Sequence, residues 1–139
     1  MKRIFLDTNI LMDFIEGRPG AKEAAEVLRY ANAGKIDVAA STLTYTTIAY
    51  IIGKKFSQKE VCKTLDNLST IVDILDLDSQ CIRIAIKEPC RDFEDRVQYQ
   101  CAIKNHYEAV ITNNKKDFVD FCKLPLLTAT ELLDELRTL

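Results

Sequence analysis

Apolar residues follow two different spacings along this chain, and the switches between them mark out its elements. Ile4, Phe5 and Leu6 form an unbroken apolar run that stops at Asp7, which predicts a strand buried on both faces with a carboxylate at its C-terminal end. From Ile10 to Ile15 the apolar residues fall at helical spacing, so Asn9 lies at or near a helix start. Arg18, Pro19 and Gly20 make a turn, and the alanine, glutamate and leucine content of 21–33 predicts a helix that ends at Gly34. A second strand follows over 36–40. The spacing of Ile48, Ile51 and Ile52 predicts a helix over 44–55; its threonines and tyrosines are poor helix formers, so packing has to make it helical.

Ser57 with Glu60 three residues later is a capping-box signature, and Val61, Leu65 and Leu68 behind it share one face. A third strand is predicted over 71–75, a helix over 79–88 halted by Pro89, and a helix over 92–104 with Phe93, Val97 and Cys101 four residues apart. A short fourth strand, 109–111, runs into Thr112, Asn113 and Asn114. Residues 124–127 read as a last strand, placed at a sheet edge by Pro125. Thr128 with Glu131 caps a closing helix that carries Leu132, Leu133 and Leu136. Strands alternating with helices predict an α/β fold with three layers, α/β/α, around a mostly parallel sheet of four to five strands. No repeat, low-complexity stretch or linker interrupts residues 1–139, which read as a single domain.

Composition narrows the class of protein. The 139 residues are 47% hydrophobic and 29% charged with a net charge of −2, a profile of soluble globular chains in which no bulk charge announces a nucleic-acid partner. A local basic rim can still steer an anion while carboxylates attract cations. No run approaches the roughly 18 apolar residues that span a bilayer, so no membrane association and a cytoplasmic location are expected. Cys62, Cys81, Cys90, Cys101 and Cys122 are widely spread without metal-ligand spacing, and read as small apolar side chains in a reducing compartment. His106, the one histidine, reads as a surface or helix-end residue.

In a parallel sheet the loops after the strands share one rim, so Asp7, the Thr44 region and residues 112–117 can converge there. Asp95 would lean in from the first turn of its helix. Clustered carboxylates repel one another unless a cation sits among them, and a hard divalent ion, Mg2+ or Mn2+, suits oxygen ligands.

Four segments resemble the PIN domain family as found in toxin ribonucleases of VapC type: Phe5 to Asn9, Ser41 to Thr44, Asp92 to Gln98, and Ile111 to Phe118. The resemblance covers almost the whole chain, and the order and separation of the segments make it specific. It implies an endonuclease that hydrolyses RNA phosphodiesters with Mg2+ or Mn2+. By extension the chain would be the toxin of a toxin–antitoxin pair, with RNA as substrate, a small antitoxin protein as partner, and a homodimer through the helices after the second strand. Asp7 matches the family's first acid, Asn9 its usual polar neighbour, and Asp95 its third acid.

Two positions depart from the pattern: Thr47 stands where the second acid is usual, and Asn114 where the fourth is. Asp117 is then expected to complete a set of Asp7, Asp95 and Asp117 as catalytic and metal-binding carboxylates, with Asn9, Thr47, Thr112 and Asn114 as supporting oxygen donors. Lys115, Lys116 and Arg96 are candidate phosphate contacts. Asp92 reads as the N-cap of its helix, and Lys54 and Lys55 as answering a helix dipole. The departures motivate an alternative, an inactive PIN fold that binds RNA or protein. A receiver-like phosphoryl-transfer protein also keeps acids at strand ends, but Asn9 replaces its second acid and no late lysine is convincingly placed.

Overall fold

The computed structural model describes residues 2–88 and 92–138, so the expectations for Pro89 and Cys90 fall outside the described residues. Strands β1 (Lys2–Leu6), β2 (Ile36–Ser41), β3 (Val72–Leu75), β4 (Ala109–Ile111) and β5 (Leu126–Leu127) form one sheet in the order β3-β2-β1-β4-β5. Every pairing is parallel, and β1 sits at the centre with Phe5 opposite Ala39 on one side and Val110 on the other. Among the described residues seven helices cover the faces: α1 (Thr8–Glu16), α2 (Ala21–Asn32), α3 (Thr42–Ile52), α4 (Gln58–Ser69), α5 (Ser79–Lys87), α6 (Phe93–Lys104) and α7 (Ala129–Arg137).

Alternation along the strands sorts the core into two layers. Ile4, Leu6, Val38, Ala40 and Ile111 face α1, α2, α3, α4 and α7, packing with Leu11, Val27, Ile48, Val61 and Leu132. Phe5, Ala39 and Val110 face the opposite way, onto α5, α6 and Phe118. Cys81 and Cys101 belong to this second core as small apolar groups, and burial pushes the Cys101 thiol up to about 12. The Ile48 to Ile52 run is a core element, with Ile48 and Ile52 buried and Tyr50 exposed. His106 sits exposed just past α6 in the left-handed region. Among the described residues no helix is long and apolar enough to cross a membrane.

Several boundaries differ from the sequence expectation for local reasons. Helix α3 begins at Thr42, two residues early, because the Ser41 hydroxyl accepts from the Thr44 amide and caps it. Helix α1 begins at Thr8, with Asp7 in the N-cap position. The last strand is only Leu126–Leu127; Pro125 precedes it and uses its carbonyl to accept from the Val110 amide. Helix α6 departs most. Phe93 is exposed instead of continuing the stripe, while Arg96 and Gln98 are buried beside Val97, Tyr99, Cys101 and Ala102.

The strand order reverses direction at β1: the chain moves outward to β2 and β3, then returns to the far side of β1 for β4. Open α/β sheets have their ligand crevice at the C-terminal ends of the strands flanking such a reversal. Here those ends deliver Asp7 and Thr112.

Candidate active site

Asp7 is the first residue after the central strand. Its amide donates to the Ile111 carbonyl at 2.9 Å, which ties the end of β1 to the end of β4. Its side chain is 5% exposed, so it has lost most of its water. The Thr112 hydroxyl donates to its Oδ2 at 2.8 Å, and the Thr8 amide donates to the same carboxylate. Burial outweighs both bonds and, with Glu94 and Asp117 adding negative charge, raises the Asp7 carboxyl to about 6.

Helix α6 runs back against the strands, so its N-terminus lies over the C-terminal edge of the sheet. Asp92 and Asp95, three residues apart, share a face there. After β4 the chain makes a 3-10 turn at Lys115–Asp117, held by the Asp117 amide donating to the Asn114 carbonyl at 3.0 Å. That turn brings in Asp117. Carboxylate oxygens of Asp92, Asp95 and Asp117 all lie within 4.8 Å of one another. Burial raises the Asp95 carboxyl to about 7, with Asp7, Asp117, Asp92 and Glu94 each pushing the same way. Acids from three chain segments therefore share one electrostatic field, and their donor set of carboxylate oxygens suits a hard divalent cation.

The remaining predicted residues take separate places. Thr112 is fully buried; its hydroxyl is spent between Asp7 and the Asn114 amide, 3.0 Å away, so it orients an acid. Asn114 contributes backbone groups to the turn. Asn9 is exposed on α1 and Thr47 is half-buried on α3. Lys115 donates to Glu131 at 2.9 Å, linking the turn to the cap of α7, while Lys116 is exposed. Arg96 requires a correction. Its guanidinium is turned inward, paired with Glu88 and stacked 4.9 Å from the centre of the Phe121 ring, because the position after Asp95 on α6 faces the protein interior.

Two acids at the site are not expected there from the sequence, Asp92, which reads as a cap, and Glu94. Asp92 does occupy the N-cap position, but in the left-handed region at φ 61° and with no side-chain capping bond; its carboxylate lies with Asp95 and Asp117 instead. Glu94 is exposed and close enough to raise both Asp7 and Asp95. The three-residue spacing of Asp92 and Asp95 at a helix start was the available signal.

A five-stranded parallel sheet with acids from β1, α6 and the turn after β4 gathered at its switch point defines an α/β protein with a carboxylate-centred site. The PIN domain model matches residues 3–116, and the chain belongs to that family. It is similar to the protein named ribonuclease VapC1 of Aquifex aeolicus (strain VF5), at 25% identity over 144 residues, spanning 99% of this chain and 98% of the relative. In fold it is similar to VapBC-1 of nontypeable Haemophilus influenzae, with a TM-score of 0.69 and 20% identity over 92% of this chain and 98% of that one. It is also similar to VapC20 of Mycobacterium tuberculosis, a sarcin-ricin loop cleaving toxin, with a TM-score of 0.64 and 14% identity over 86% and 95% of the two chains.

Proposed function

We propose that this chain is an endoribonuclease that hydrolyses RNA phosphodiester bonds with a divalent cation held by Asp7, Asp95 and Asp117, and that Asp92 joins them. The observation that carries the proposal is the mutual approach of the Asp92, Asp95 and Asp117 carboxylates within 4.8 Å, beside an Asp7 fixed by Thr112. A relative named a ribonuclease over nearly its full length supports the reaction class. When bound, Mg2+ or Mn2+ withdraws charge from a phosphodiester and promotes deprotonation of water near neutral pH.

The chain's own residues prepare that chemistry. Thr112 and the Thr8 amide aim Asp7, the start of α6 presents Asp92 and Asp95 together, and the 3-10 turn brings Asp117 up to that pair. Asp92 also restores the negative charge that Thr47 and Asn114 fail to supply. An exposed Lys116 at the rim serves as a contact for a flanking phosphate. The structures of VapBC complexes among the similar folds support an antitoxin protein as partner, and the same reading includes a homodimer, visible as a doubled mass in ultracentrifugation.

Incubating purified protein and its Asp7→Asn variant with structured and single-stranded RNAs in Mn2+, Mg2+ and EDTA tests the proposal. Metal-dependent cleavage that disappears in the variant is the expected result. Folded wild-type protein that cleaves none of these RNAs would instead favour the inactive binding module.

A further inference from the structure

Gln98 lies on α6 one helical turn beyond Asp95 and is 1% exposed, an amide placed where its neighbours Val97, Cys101 and Ala102 are apolar. Its Oε1 accepts from the Ser41 hydroxyl at 2.7 Å. Its Nε2 donates to the Thr44 hydroxyl at 3.0 Å and, at 3.4 Å, towards the Thr8 hydroxyl. The Thr8 and Thr44 hydroxyls are themselves joined by a hydrogen bond of 2.7 Å, in which either can donate. Ser41, Thr44 and Thr8 are all buried, and they come from the end of β2, from α3 and from the first residue of α1.

This network joins the two helix layers across the C-terminal edge of the sheet. One end is a turn away from Asp95, and the other is the residue next to Asp7. The acids at those two ends repel each other, a force that drives α6 away from the β1–α1 junction. A chain of buried hydrogen bonds opposes it, and a methionine or leucine of equal volume would leave the two layers free to slide.

We propose that Gln98 is a positioning residue: through Thr44 and Thr8 it sets the distance between Asp95 and Asp7 at which a divalent cation can be held. This rests on the metal-dependent reading above. The role is that of an outer-shell partner, whose loss typically weakens metal affinity or activity about 10- to 100-fold.

Gln98→Met and Thr44→Val remove the network at nearly constant volume, and Thr44→Ser keeps the central hydroxyl. Each protein is checked for folding by circular dichroism and thermal melting, then titrated with Mn2+ by calorimetry and assayed for kcat and KM on an RNA oligonucleotide. The expected result is folded Gln98→Met and Thr44→Val proteins with Mn2+ affinity lowered about 10-fold and kcat lowered about 10- to 100-fold. KM is expected to stay within about twofold of wild type, and Thr44→Ser to recover most of the affinity. If Gln98→Met does not fold, Thr44→Val carries the same comparison. Wild-type Mn2+ affinity and kcat in folded Gln98→Met, or in folded Thr44→Val if that variant stands in for it, would overturn the role while leaving the nuclease intact. Wild-type protein that neither binds Mn2+ nor cleaves RNA would overturn the functional reading and this role with it.

Discussion

At Asp95, burial and four neighbouring acids raise the carboxyl to about 7, and at Asp7 burial raises it to about 6. Both bind a proton more tightly in the folded protein than in the unfolded chain, where an aspartate titrates near 3.8. The folded state therefore holds more protons across that interval, and stability falls as pH rises from about 4 through 7, then levels. In EDTA the melting temperature should drop between pH 5 and pH 8. Asp95→Asn should flatten that slope and raise the melting temperature at pH 8 while abolishing metal-dependent cleavage. An unchanged slope in the variant would mean that burial and the neighbouring acids do not raise the Asp95 carboxyl as described.

Asp92 stands at both a helix start and the acid cluster. Asparagine caps a helix as well as aspartate and tolerates the left-handed backbone equally, so Asp92→Asn preserves any capping role. It removes only the charge. Calorimetric titration should find Mn2+ bound more weakly by folded Asp92→Asn. Unaltered affinity would return Asp92 to a purely structural role. From sequence, a helix-capping aspartate and a ligand aspartate look the same; what separates them is the turn carrying Asp117, which comes from more than twenty residues away.

Among the elements, those with a locally written signal were legible. The capping boxes read at Ser57 with Glu60 and at Thr128 with Glu131 are both present, with each hydroxyl accepting from the N3 amide and each glutamate reaching back. Ser57→Ala should cost about 1 kcal/mol, lowering the melting temperature by roughly 2–5 °C and leaving RNA cleavage per folded molecule unchanged. Helix α6 was legible as a helix but not in its orientation. It packs on several sides, so Gln98 and Arg96 are buried while Phe93 is exposed, and no 3.6-residue stripe marks which face carries the site. The start of α3 was misplaced because Ser41 both ends a strand and caps a helix, two roles that overlap in one residue.

Over the whole molecule, the alternation of strands and helices was enough to expect a parallel sheet in an α/β/α sandwich, and the four PIN-like segments were enough to expect Asp7, Asp95 and Asp117 at its rim. The sheet order was not written in any local pattern. That order places β4 beside β1, brings Thr112 to Asp7, and lets the turn after β4 meet the start of α6. The proposed reaction requires acids from these separate segments to hold one divalent cation.

Crystals soaked in Mn2+, with anomalous scattering recorded at the manganese edge, would locate that cation. A peak is expected among Asp7, Asp92, Asp95 and Asp117, at oxygen distances of roughly 2.0–2.6 Å for a hard divalent cation. A manganese peak elsewhere, or none in a protein that cleaves RNA with Mn2+, would contradict it.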